Sequence, residues 1–224
     1  MKMLSQSWNF PAVAMTLRCL TREPSLMLPH ATVRDLNCLD FARLRRAGFV
    51  GVVLDKDNTL TAPYADAVEA TLVPALDAAR AAFGPRGVVV LSNSAGTPDD
   101  TGYAAADALE ASLALPVLRR REKKPRGFES VRAHFGECER SALVMVGDRL
   151  LTDVTFGNAH GMLTVHTTRL LSTAREPAIV RIARRFEGFL AARYLRRGVR
   201  PPQHPLADRA GFGSSDLGEG TTLL

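Results

Sequence analysis

Several things are scarce in this 224-residue chain, and each scarcity narrows what it can be. It has three cysteines, Cys19, Cys38 and Cys138, far apart and in no C-x-x-C pair. That odd, scattered set supplies neither a disulfide framework nor a thiolate metal cluster, and it suits a reducing compartment. No stretch approaches the roughly 18 apolar residues that a spanning helix needs, so no bilayer crossing is expected. Only one tryptophan is present, Trp8, and it sits beside Phe10 at the start of an amphipathic stretch. Acidic residues are absent before Glu23, whereas Lys2, Arg18 and Arg22 precede it, the pattern of an organelle-targeting or membrane-surface segment.

What remains is the profile of a folded protein, with an apolar fraction of 46% against 23% charged residues. The length suits one core with extensions. The net charge of +6 is unevenly placed: between residues 176 and 200 seven arginines stand against Glu176 and Glu187, so five of the six charges fall there. A localised basic segment points to a polyanionic surface such as lipid headgroups.

From about Phe49 to His166 short β-branched runs alternate with helix-like stretches. Runs 49–54, 87–92, 115–118, 142–147 and 162–166 read as strands buried on both faces, and strands alternating with helices imply a parallel sheet covered on both sides. The fold class is therefore α/β, a three-layer Rossmann-like core with a parallel sheet. Residues 46–170 form this core, 1–45 an N-terminal amphipathic, membrane-associating segment, 171–200 a basic amphipathic helix, and 201–224 a tail expected to be disordered because it is rich in proline, glycine and serine. On the N-terminal helix Asn9 caps, Pro11 lies in the first turn, and Val13, Leu17 and Leu20 share a face. On the C-terminal helix Ile179, Ile182, Phe186, Phe189 and Leu190 share another, with arginines beside it.

In open parallel sheets the ligand lies beyond the carboxyl ends of the strands. The residues there are Asp55 to Thr59 after the first run, Ser92 and Asn93 after the second, Lys123 and Lys124 before a helix, and Gly147 to Asp153 after the fourth. Converging at one edge, they assemble four aspartates, a hydroxyl and a lysine. Clustered carboxylates fit a hard cation such as Mg2+, and lysine and hydroxyl fit a phosphate whose transfer depends on positioning and charge stabilisation. If Asp55 and Asp57 continue the strand, positions i and i+2 face the same way. A calcium loop is the competing reading of D-x-D, but Leu60 occupies the place where such a loop needs glycine.

With these four segments in this order, D-x-D-x-T, a strand-ending serine, a lysine before proline and G-D-x-x-x-x-D, the chain resembles the haloacid dehalogenase superfamily of phosphatases over residues 49–168. The resemblance implies that Asp55 is a nucleophile forming an aspartyl-phosphate and that Asp57 is the general acid and base. It implies Mg2+ held by Asp55, Asp57 (through its carbonyl), Asp148 and Asp153, the last alternatively orienting the lysine. Ser92 and Asn93 would bind phosphate oxygens, and Lys124 would neutralise them, with Lys123 as an alternative. Only 32 residues separate Thr59 from Ser92 and 31 separate Ser92 from Lys124, which leaves no room for a cap domain over the site. An open site favours a large or surface-bound substrate.

A finer likeness lies in "PSLMLPHATVRDL", "VVLDKDNTLT", "LSNSAGT", "LPVLRRREKKP" and "VGDRLLTDVTFGNAHG". These stretches look like those of the phosphatidylglycerophosphate phosphatases of mitochondria and chloroplasts. That likeness implies release of the terminal phosphate to yield phosphatidylglycerol, the precursor of cardiolipin. It places the protein peripherally on the matrix face of the mitochondrial inner membrane, or alternatively in the chloroplast. The expected partner is an anionic phospholipid surface, with Arg149 and the arginines of 119–121 available for the diester phosphate, and no nucleic acid is expected. The alternative function is a capless phosphatase acting on phosphoproteins or nucleic-acid ends.

Overall fold

The computed structural model describes residues 17–19, 21–63, 65, 67–172 and 178–212. The expected N-terminal helix, with Trp8 and Phe10, lies outside them except for a short helical stretch around Arg18. Strands β1 (Ala31–Val33), β2 (Gly51–Leu54), β3 (Val88–Val90), β4 (Leu143–Gly147) and β5 (Leu163–Thr167) form one all-parallel sheet in the order β1-β5-β4-β2-β3.

Alternation along these strands builds the two outer layers. Val52, Leu54, Val88, Val90, Val144 and Val146 pack against helices α1 (Phe41–Ala47), α2 (Val73–Phe83) and α3 (Ala104–Leu113). Val53, Val89 and Met145 point the other way, onto Phe128 and Val131 of α4 (Phe128–Phe135) and Phe156 of α5 (Thr155–Ala159). Burying each such side chain stabilises the fold by roughly 1.5–3 kcal/mol, so a slip of one residue in any strand would reverse both faces. The helices are locally specified too. Asp40 caps α1 by accepting from the Arg43 N–H at 2.8 Å, and Gly48 ends it in the left-handed region at φ 108°.

Each interval that was too short for a cap holds a single main helix, α2 or α3. Three expectations change. Residues 115–118 make only an isolated bridge, Val90 to Val117, because Pro116 has no N–H to continue a ladder. The sheet also starts before residue 46: β1 is its edge strand and α1 buries Phe41 and Leu44, so much of segment 1–45 belongs to the core.

The tail is the third. Residues 201–212 are packed, with α7 (Ala207–Ala210) burying Ala207 and Ala210, and Leu206 and Phe212 against the first layer. His30 ties this segment down. Its Nε2 donates to the Pro202 carbonyl at 2.9 Å, and its Nδ1 accepts from the Thr164 N–H at 3.1 Å.

Helix α6 (Ala178–Arg196) joins a separate apolar cluster made by Leu190 and Ala191 with Cys19, Leu26, Met27, Leu28, Leu150 and Val154. Its buried face runs through Glu187, Leu190 and Ala191. The expected apolar stripe therefore splits: Leu190 turns inward, while Ile179, Ile182, Phe186 and Phe189 remain 71%, 63%, 47% and 58% exposed. No helix among the described residues is long and apolar enough to cross a membrane.

Candidate active site

From β2 the chain crosses to β3 on one side, whereas β4 lies on the other, so a crevice opens between the carboxyl ends of β2 and β4. Asp55 leaves β2 at that point, its N–H donating to the Val146 carbonyl at 2.9 Å, and Asp148 follows Gly147 at the end of β4. Asp153 arrives through a π-helical turn, Leu150–Val154. A Cβ on Gly147 would lie 2.5 Å from the Asp153 carboxylate, so only glycine admits that side chain. The three aspartates are buried, and one oxygen of each lies within 4.8 Å of the others.

Lys124 is the cation of this cluster. Its Nζ lies 2.5 Å from Asp55 Oδ1 and 2.5 Å from Asp153 Oδ1, with the side chain 1% exposed. Lys123 turns away to pair with Asp99. Of the two lysines it is therefore Lys124, not Lys123, that contacts Asp55 and Asp153. Burial alone would lower the Lys124 ammonium, but Asp153 and Asp55 outweigh it and hold the pKa above the ordinary lysine value. Burial, then the neighbouring Asp153 charge, raises Asp55 well above the usual carboxylate range against the pull of Lys124. Asp148 is raised to about 6, mainly by burial, with Arg184 opposing.

Ser92 is fully buried, and its hydroxyl accepts from the N–H groups of Ser94 and Ala95 at 3.1 and 3.3 Å. The Asn93 side chain organises the lysine loop: Oδ1 accepts from the Lys124 N–H at 2.9 Å and from Arg120 Nη2 at 2.7 Å. Arg120 also donates to the Ser92 carbonyl at 2.6 Å. Burial lowers its pKa to about 10, opposed by Asp55 and Asp153, so it stays charged and fixes the Ser92–Asn93 and Lys124 loops together.

Asp57 departs from the expected common face. The strand ends at Leu54, and the Lys56 carbonyl already accepts turn bonds from Leu60 and Thr61, so the chain bends between the two aspartates. Asp55 is buried, whereas the Asp57 carboxylate is 33% exposed at the mouth, 3.2 Å from Lys56 Nζ. Its carboxylate lies outside the triad.

Arg149, expected to grip a diester phosphate, is instead held by Glu187 of α6, with Nη2 to Oε1 at 2.5 Å; Glu187 also accepts from the Leu150 N–H at 3.0 Å. Of the 119–121 arginines, Arg119 pairs with Asp107 and Glu110, Arg120 is buried, and Arg121 is exposed. No motif points to Arg184, whose Nη2 lies 2.8 Å from Asp148 Oδ2 and whose Nη1 donates to the Asp148 carbonyl at 2.8 Å. The run of arginines masked it, because nothing in the pattern separates one that reaches inward from its solvated neighbours.

Residues 11–171 match the family model described as mitochondrial PGP phosphatase. The chain belongs to that family. Over 205 residues it is 46% identical to the phosphatidylglycerophosphate phosphatase 1, chloroplastic/mitochondrial, of Arabidopsis thaliana, which covers 91% of this chain and 58% of the relative. Over 210 residues it is 48% identical to the chloroplastic phosphatidylglycerophosphate phosphatase 1 of Chlamydomonas reinhardtii, covering 92% and 77%. The mitochondrial phosphatidylglycerophosphatase GEP4 of Saccharomyces cerevisiae is 31% identical over 157 residues, covering 68% and 83%. The chain thus spans less than two thirds of the Arabidopsis relative. The triad, Lys124, Ser92 and Asn93 fall within the matched residues, whereas Arg184 and Glu187 lie beyond them.

Proposed function

We propose that this protein is a Mg2+-dependent phosphatase that releases the terminal phosphate of phosphatidylglycerophosphate, leaving phosphatidylglycerol. The observation that carries this reading is the buried Asp55 carboxylate, held 2.5 Å from Lys124 inside a three-aspartate cluster in a chain of this family. The donor set suits Mg2+, being all oxygen and carrying more negative charge than Lys124 and Arg184 offset. Asp55, Asp148 and Asp153, with the carbonyl of Asp57, would hold the ion, which when bound supplies charge neutralisation for the triad and the phosphate.

The remaining chemistry falls to the chain. Asp55 attacks phosphorus, and as the P–O bond to the lipid glycerol breaks, Asp57 gives its proton to the departing oxygen. Asp57, now ionised, takes a proton from water, which attacks the aspartyl-phosphate, releases inorganic phosphate and restores the Asp55 carboxylate. Lys124, oriented by Asp153, neutralises the phosphoryl oxygens, and Ser92 and the Asn93 amide position them. The exposed position of Asp57 at the mouth suits a group that must meet both leaving group and water.

A surface-bound substrate fits the absence of a cap among the described residues and the outer face of α6. Ile179, Ile182, Phe186 and Phe189 would enter the lipid interface while nearby arginines meet anionic headgroups, each adding about 1 kcal/mol. We place the protein peripherally on the inner membrane of the mitochondrion, matrix side, or on the corresponding plastid membrane. Phosphate release from phosphatidylglycerophosphate in mixed micelles, beside a phosphopeptide and a sugar phosphate, tests the reading. Preference for the lipid supports it, and preference for the phosphopeptide overturns it.

A further inference from the structure

We infer that the cavity between α6 and the carboxyl edge of β5 is a second recognition site, one that takes the diester phosphate and glycerol of a glycerophospholipid through Arg184, Arg185 and Thr167. This rests on the phosphatase reading above and adds the place where the lipid is told from other phosphomonoesters.

The cavity holds about 610 Å3, and Asp148 forms part of its wall, so it adjoins the triad directly. The wall carries polar groups, the carboxylates of Asp148 and Glu187 among them, which are paired with Arg184 and Arg149. His166 and Thr167 come from the end of β5, and Arg184 and Arg185 from α6. Apolar side chains such as Leu150, Leu170 and Phe189 form the rest. Cationic at Arg185, whose charge no carboxylate offsets among the described residues, and apolar elsewhere, this wall is the complement of a phosphodiester joined to an acylated glycerol.

Two buried atoms lack a hydrogen-bond partner here, His166 Nδ1 and Thr167 Oγ1. Such groups are costly unless something binds them. His166 Nε2 lies 3.2 Å from the Asp148 carbonyl and must carry the proton to donate there. Nδ1 is then an acceptor facing no donor, suited to a hydroxyl. The headgroup offers one, because the glycerol between its two phosphates keeps a free hydroxyl. The Thr167 hydroxyl can donate to the diester oxygens, and Arg185 stands exposed at the rim with no carboxylate partner among the described residues. Three carbons and two ester oxygens link the two phosphates. That short link matches an arginine, Arg184, lying 2.8 Å from a member of the triad.

The test titrates dihexanoyl phosphatidylglycerol below its micelle concentration into the full chain, with dihexanoylglycerol and inorganic phosphate in parallel. This probe carries the diester and headgroup glycerol but no cleavable phosphate. Arg185→Gln should weaken its binding about tenfold, the scale of one charge-assisted contact. Thr167→Val should weaken it several-fold while the melting temperature holds or rises, since an unpartnered hydroxyl is removed; a purely structural threonine would not separate the two readouts. Binding of the charged lipid no tighter than of dihexanoylglycerol, or unaltered by both substitutions, overturns the site. Turnover distinguishes the layers: tight binding without cleavage of phosphatidylglycerophosphate retains the site and defeats the reaction. Cleavage with an unchanged preference over glycerol 3-phosphate in Arg185→Gln retains the reaction and defeats the site.

Discussion

The two flanks of the acidic triad are built from different parts of the molecule. On one, Lys124, Arg120 and Asn93 come from loops at the sheet edge and are locked to one another and to Asp55 and Asp153. On the other, Arg184 and Glu187 reach in from α6, a helix outside the sheet, and hold Asp148, Arg149 and Leu150. The first flank has what a phosphoryl group requires and nothing that refers to a lipid. The second joins a member of the triad to a helix whose far side is apolar and exposed. On the proposed function, chemistry and membrane seating would be separable in the chain yet meet at Asp148.

The largest effect should come from the first flank. Asp55→Asn removes the proposed nucleophile and should lower phosphate release at least about ten-thousand-fold, with an unchanged circular dichroism spectrum. Substantial residual turnover would defeat the covalent mechanism. On the second flank, Glu187→Ala strands the half-buried Arg149 guanidinium and the buried Leu150 N–H. It should cost about 3 kcal/mol in urea denaturation and slow hydrolysis even of a small soluble ester. A loss confined to vesicle binding would show that α6 does not support the site.

Away from both flanks, His30 sets a pH limit. Burial lowers its pKa to about 4, so below pH 6.5 the unfolded chain takes up a proton that the folded chain refuses. Its contribution is complete above pH 6.5 and is lost as pH falls from there to about 4, roughly 3 kcal/mol in all. The difference in stability between pH 7 and 4.5 should therefore shrink in His30→Gln. The smallest effect is expected from the outer face: Ile179→Ser with Ile182→Ser should weaken binding to anionic vesicles about tenfold, more than it slows the soluble ester. Equal losses would merge the two flanks into one.

The sheet was legible because buried parallel strands write themselves as apolar runs, and the site because its residues end those runs in order. The edge strand β1 was too short to show a period, and Pro116 disguised a bridge as a strand. The common face expected for Asp55 and Asp57 assumed an extended strand, and a turn begins at Lys56 instead. The proline-rich tail looked unstructured, yet it is fastened by a single histidine 172 residues earlier in the chain, a partnership no local pattern carries. Arg149 departs from its expected place for the same reason: Glu187 of α6 holds it, and the arginine beside Asp148 is Arg184.

The 19 residues of α6 put exposed apolar side chains on one surface and a grip on Asp148 on the other. An enzyme seated by that helix would draw on a two-dimensional reservoir, with its rate following the mole fraction of substrate in the leaflet rather than any bulk concentration. The headgroup would need to rise only by the thickness of one helix, and the acyl chains could stay where they began.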